Sequence, residues 1–108
     1  MEQAINSLIE KNGTPFYLFD EQGFVDNYRA LEDTFQKVYP NYQICYSYKT
    51  NYTPFVCGLV KSLGGLAEVV SDMEYTLAKK LGYKNPQIVY NGPSKGEGMY
   101  EHLLQGGI

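Results

Sequence analysis

The sequence predicts an α/β protein built on a parallel sheet, and three observations point there. Short runs rich in Ile, Val and Tyr alternate with helix-type segments about every 22 residues. Capping and stop signals separate the two kinds of segment. Ser47, Lys49, Asn51, Glu68, Ser71, Asn91 and Lys95 gather at the carboxyl ends of the strand-type runs, where parallel α/β folds collect their active-site groups. This rhythm fits either an open doubly wound sheet or an eight-fold barrel. The 108 residues suffice for one small domain with a modest core.

The first segment, Glu2–Lys11, sets Ala4, Ile5, Leu8 and Ile9 on one helical face and stops at Asn12-Gly13. Thr14-Pro15 forces an extended entry into Phe16–Phe19, which reads as a short aromatic strand. Asp20 can cap a helix from Glu21 to about Val38, with Phe24, Val25, Tyr28, Leu31, Phe35 and Val38 at helical spacing. The strand Gln43–Tyr48 follows. Thr53 is the expected N-cap and Pro54 the first residue of a helix through Leu63, closed by Gly64-Gly65. Leu66–Val70 is the next strand, and Ser71-Asp72-Met73-Glu74 has capping-box spacing for a helix to Leu81. Gln87–Tyr90 is another strand. Ser94 to Glu97 repeats the capping-box pattern before a helix that ends at Gly106-Gly107, and Ile108 would open a further strand.

Composition narrows the function. The formal net charge is −3 with no cluster of Lys and Arg, which argues against a nucleic acid or an acidic membrane as partner. No apolar run approaches the roughly 20 residues of a membrane span, and the N-terminus lacks a signal-peptide pattern. A soluble, cytoplasmic protein is expected. Cys45 and Cys57 show no metal or redox spacing and read as buried free thiols, which suits a reducing compartment. With His102 as the sole histidine, no histidine-rich metal site is expected.

Alternation along a strand puts Cys45, Ser47 and Lys49 on one face and Tyr46 and Tyr48 on the other, with the Tyr48 ring expected against the outer helices. By the same parity Leu66, Glu68 and Val70 lie together, so Glu68 could approach Lys49. Low-dielectric walls disfavour a charged amine, whereas a carboxylate stabilises a protonated amine or iminium. Together they suit an imine-forming lysine; a strand-end lysine reaching solvent beside Glu68 is the structural alternative. Ser71 and Glu74 are accounted for by capping, and Lys95 by a solvated helix start.

Four motifs then carry a resemblance. Tyr46-Ser47-Tyr48-Lys49-Thr50-Asn51 resembles the YAxKAN segment of the alanine-racemase-like, fold-type III pyridoxal phosphate enzymes. The segment from Gly65 to Glu74 is similar to their G-x-D-x-x-S-x-x-E segment, and Asn91-Gly92-Pro93-Ser94-Lys95 to the stretch after their third barrel strand. Thr14–Asp20 is similar to the TPxYxxD opening of the diaminopimelate decarboxylase branch. The resemblance runs in order from about Thr14 to Ile108 and implies the first part of a TIM barrel, incomplete in this chain.

It further implies pyridoxal 5'-phosphate as cofactor, with Lys49 as the internal-aldimine lysine. Ser47 would lie close under the ring, Asn51 would hold the loop after the lysine, and Glu68 would be the cofactor-side carboxylate in a place usually held by aspartate. The implied activity is decarboxylation of an amino acid, with a racemase of the same fold type or a non-catalytic α/β assembly module as alternatives. The implied organisation is a lead-in helix and strand over residues 1–20 and the first barrel units over 21–108. The rest of the barrel, its phosphate loop and a C-terminal β domain would lie beyond Ile108, and the complete protein would be a homodimer. Without that phosphate loop and the ring partners, the 108 residues are expected to be inactive alone; a sheet covered on one face only leaves Cys45, Leu66 and Val70 toward water, so they are expected to self-associate or to be only marginally stable.

Overall fold

The computed structural model describes residues 2–93 and 96–108. Two compact units divide the chain, Met1–Leu31 and Glu32–Ile108.

In the first unit, α1 (Glu2–Asn12) ends one residue later than the sequence predicts, and α2 (Glu21–Val38) begins where predicted and runs on into the second unit. Asp20 caps it, its Oδ1 accepting from Gly23 N at 2.9 Å. Tyr28 is the one residue of α2 that is buried, so the apolar stripe is only partly used. The expected strand Phe16–Phe19 does not form. Residues 16–20 have no regular structure, and Tyr17 and Leu18 are exposed. Aromatic content and a preceding proline favour an extended chain, but a strand also needs a partner ladder, and none pairs with this segment among the described residues.

The second unit holds a three-stranded parallel sheet in sequential order: β1 (Cys45–Ser47), β2 (Leu66–Val69) and β3 (Ile88–Tyr90). Its register pairs Ser47 with Glu68 and Glu68 with Val89. The β1 ladder extends beyond the strand proper, through Leu66 N to Ile44 O at 2.9 Å and Tyr48 N to Glu68 O at 3.0 Å. Ile108 N donates to Ile88 O at 3.3 Å, and Ile108 O accepts from Tyr90 N at 2.7 Å. That is the parallel pattern opposite Val89, so Ile108 occupies the position of a fourth neighbour, as the sequence predicts. Successive parallel β/α units in this order are the first part of a TIM-barrel arrangement.

Three helices connect and cover the strands: α3 (Pro54–Ser62), α4 (Asp72–Lys80) and α5 (Glu97–Leu104). Thr53 precedes α3, yet its side chain makes no capping bond. Its own amide donates to Asn51 Oδ1 at 3.0 Å, in an Asx turn that leads into the helix. At α4, Ser71 Oγ accepts from Glu74 N at 3.3 Å as expected. The Glu74 carboxylate reaches one residue further back than in a capping box, accepting from Val70 N at 2.8 Å. The α5 start predicted at Ser94 and Lys95 lies outside the described residues; the helix has Gly96 as N-cap.

The core sits between the sheet and these helices. Tyr48, Cys57, Ala67, Val69, Ala78, Tyr83, Ile88 and Tyr90 form it, so the Tyr48 ring packs where parity places it. Burial of Cys45 does not hold: its thiol is exposed while Cys57 is buried. Cys45 lies on the edge strand and on the face away from α3 and α4, so the apolar character of its segment does not bury it.

Burial pushes the phenols of Tyr48, Tyr75 and Tyr90 above their ordinary value of 10.0; Tyr83 and Cys57 add to the effect on Tyr48, and Asp72 to that on Tyr90. Burial also raises the Cys57 thiol above 9.0. In each case the unfolded chain loses its proton first as pH rises. The stability from these neutral groups is therefore complete below about pH 9 and declines above it. Urea midpoints should hold level from pH 7 to about 8.5, fall above about 9, and fall less steeply in Tyr48→Phe. A midpoint unchanged to about pH 11 would contradict this account.

Candidate active site on the lysine-bearing face

The face of the sheet opposite the core carries the groups singled out in the sequence. Alternation sets Ser47, Glu68 and Val89 in one row across the three strands, because they are register partners. Lys49 stands one step further toward the carboxyl ends, in the turn spanning residues 48–50, and is exposed. Cys45 and Leu66 form the row on the other side.

Ser47 Oγ is shielded from solvent and has no hydrogen-bond partner among the described residues. Glu68 does not pair with Lys49 as parity suggested. Its Oε1 accepts from Asn91 Nδ2 at 3.3 Å, since the register sets Ser47, not Lys49, directly opposite it. Leu66, Val70 and Val89 are half-buried on this face. The wall that the sequence suggested beside the lysine is not supplied, because Lys49 is open to solvent. The carboxylate is felt elsewhere: partial shielding by neighbouring atoms and then the Glu68 charge push the exposed Cys45 thiol up.

Asn51 makes three hydrogen bonds in the loop after the lysine. Its carbonyl accepts from the Tyr46 hydroxyl at 3.0 Å and from Cys57 Sγ at 3.9 Å, and its side chain holds Thr53 N. Thr50 closes the turn through Oγ1 to Ser47 O at 2.7 Å. Two partnerships escaped the sequence, Tyr46 with Asn51 and Asn91 with Glu68. Alternation tells which face a side chain takes, not which carbonyl or carboxylate its polar tip reaches. Lys95 lies outside the described residues.

A groove of about 570 Å³ between α3 and α4, lined by Tyr52, Asp72, Met73 and Leu77 among others, opens on the helix side. It shares no residue with the row of Ser47 and Glu68, so chemistry and not concavity selects the lysine-bearing face.

An amine, a partnerless shielded hydroxyl and a carboxylate held by an amide, all at the carboxyl ends of parallel strands, form a donor set that fits the aldehyde and ring of a pyridoxal group. Residues 26–108 match the family model for the pyridoxal-dependent decarboxylase, pyridoxal binding domain. The chain belongs to the pyridoxal-dependent decarboxylase family. The family's cofactor is pyridoxal phosphate.

Relatives of this family agree with the assignment. Diaminopimelate decarboxylase of Aquifex aeolicus is 34% identical over 87% of this chain and 21% of its own length. The L-glutamyl-[BtrI acyl-carrier protein] decarboxylase of Niallia circulans is 32% identical over 100% of this chain and 25% of its own length. Among solved structures, diaminopimelate decarboxylase from M. jannaschii in complex with L-lysine superposes with a TM-score of 0.74 at 30% identity, over 89% of this chain and 24% of that one. Lysine decarboxylase from Selenomonas ruminantium gives 0.75 at 26% identity, over 90% and 24%. The chain thus spans about a quarter or less of the length of the decarboxylases it matches.

Proposed function

We propose that these residues are the cofactor-lysine-bearing part of a pyridoxal phosphate-dependent amino-acid decarboxylase similar to diaminopimelate decarboxylase, with Lys49 as the residue that holds the cofactor. The observation that supports the reading is the row of Ser47, whose shielded hydroxyl lacks a partner among the described residues, and Glu68 on one face, with Lys49 in the turn that follows Ser47. Ser47 offers a hydroxyl to the ring, and Glu68, steadied by Asn91, offers the negative charge. Asn51 acts through the backbone of the loop. When bound, the cofactor withdraws electrons from the α-carbon of an amino acid, which is what makes loss of carbon dioxide accessible. The chain's own part is to present an amine for the cofactor aldehyde and to keep a carboxylate beside it.

Decarboxylation is favoured over racemisation because five relatives that match at 29 to 34% identity are decarboxylases. The whole protein is proposed to act on an amino acid as a cytoplasmic homodimer in lysine biosynthesis. Two free cysteines suit that compartment, and no described helix is long and apolar enough to cross a membrane. The lead-in over residues 1–20 and the barrel units over 21–108 are the proposed division. The half-buried Leu66, Val70 and Val89 give the 108 residues an apolar face that favours self-association; spanning about a quarter of the relatives' length, they are proposed to be inactive alone.

The test is site selectivity. The chain is mixed with pyridoxal phosphate, reduced with borohydride and digested, and the pyridoxyl label is assigned by mass spectrometry. Lys49 should take most of the label at low reagent concentration, and Lys49→Ala should remove that fraction without raising any other lysine. Label spread evenly over the lysines would refute the assignment.

A further inference from the structure

We infer that the Tyr46 hydroxyl, acting from the helix-covered side of the sheet, is the positioning group for the Lys49 amine on the other side. The inference rests on Lys49 being the cofactor lysine.

The main chain around Lys49 is tied on both flanks. Before it, Tyr48 N donates to Glu68 O at 3.0 Å and so belongs to the sheet ladder. Immediately after it, Thr50 N and Thr50 Oγ1 both reach Ser47 O, at 3.3 and 2.7 Å. These bonds close the turn on itself but leave its far end to be fastened to something else. That fastening is Tyr46, whose hydroxyl donates to Asn51 O at 3.0 Å. The same residue's side chain receives Thr53 N, so the carbonyl and the Asx turn that starts α3 are held as one piece.

A tyrosine suits the task because its reach is rigid. The ring is half-buried and meets Tyr48 edge-on, with centroids 6.2 Å apart and planes at 62°. The hydroxyl is therefore delivered by two side-chain torsions that packing has already settled. Burial is the first cause pushing this phenol above its ordinary value of 10.0, and at neutral pH a phenol is in any case protonated and able to donate. Without it, Asn51 O keeps, among the described residues, the Cys57 thiol at 3.9 Å, a weak donor. The lysine stem already allows its amine a wide range. A turn that also drifts would spread that amine over still more positions, and a preorganised turn limits the spread.

The experiment compares the 108-residue chain with Tyr46→Phe and with Tyr42→Phe. The second variant removes an equivalent tyrosine-to-carbonyl bond, Tyr42 to Glu32 O at 3.1 Å, away from the turn. Amide hydrogen exchange at Thr50 and Thr53 is read by NMR, with Ala67 and Ile88 as core references. In parallel, the borohydride-trapped label at Lys49 is expressed as its share of all labelled lysines. Tyr46→Phe should speed exchange at Thr50 and Thr53 by about five- to tenfold. It should lower the Lys49 share at least about threefold, with core exchange and thermal midpoint nearly unchanged. Tyr42→Phe should do neither.

Unchanged exchange at Thr50 and Thr53 in Tyr46→Phe, or equal acceleration in Tyr42→Phe, would overturn the inference. So would faster exchange with an undiminished Lys49 share, which would mean that the tie exists but does not place the amine. Even labelling already present in the unaltered chain would overturn the Lys49 reading, and this inference with it. Selective labelling that is equal in both chains overturns the inference alone.

Discussion

Replacing His102 by alanine should lower the unfolding free energy by about 3 kcal/mol, the sum expected for a buried ring and its polar ties. The ring has no solvent exposure. It lies edge-on to Tyr75 with centroids 5.2 Å apart and also meets Tyr90 at 6.1 Å. Its Nε2 is 3.0 Å from Ile88 O and 3.2 Å from Ile108 O. Both partners are carbonyls, so Nε2 must carry the proton and donate to the two of them. One imidazole thereby joins α5 to β3 and to the residue that pairs beside it. Truncation leaves a void that Gly107, which packs against this ring, has no side chain to fill; a methyl at Gly107 would in turn land on the ring. Urea unfolding measures the total, and amide exchange at Ile108 measures the local loss. A change below about 1 kcal/mol would show that the ring contributes little beyond filling space.

The second large effect is Ile88→Ala, expected to cost about 3 to 4 kcal/mol, against about 1 kcal/mol for Ile88→Val. Ile88 is fully buried at the start of β3, beside Ala67 of β2. It belongs to the same cluster as Val69, Tyr83 and Tyr90. Its neighbour Val89 points the other way and is half-buried, so Val89→Ala should cost about 1 kcal/mol or less. The pair of measurements decides which face is the core. Equal losses at 88 and 89 would mean that both faces are packed in solution, by self-association or otherwise, and a dependence on protein concentration would then identify the cause.

The strand-and-helix rhythm was legible in the sequence because it rests on local terms. Alternation placed Tyr48 in the core and Ser47 on the other face, and Ser71 opens α4 by the capping chemistry its spacing announces. Lys49 could be singled out because a strand end and a family-like segment coincide there. What escaped has a common cause. Phe16–Phe19 has the composition of a strand but no ladder to join, Cys45 sits in an apolar run on the face without α3 and α4, and the Thr53 amide goes to Asn51. Each outcome depends on which partner a group finds, a ladder, a covering helix or a turn acceptor, and periodicity encodes none of these. The pairing of Glu68 with Asn91 across 23 residues is of the same kind.

The carbonyl of Asn51 takes a phenol from β1 and a thiol from α3, and that thiol belongs to the hydrophobic cluster. Mutational data on this region will therefore resist sorting into stability and activity columns. Directed evolution that selects only for heat resistance would be free to repack around Cys57, and each accepted change would shift the footing of the turn that carries Lys49, the proposed cofactor lysine. Variants that melt higher while binding the cofactor less selectively should accumulate at residues 46, 48 and 57. Libraries that leave those three positions unaltered should separate the two properties cleanly.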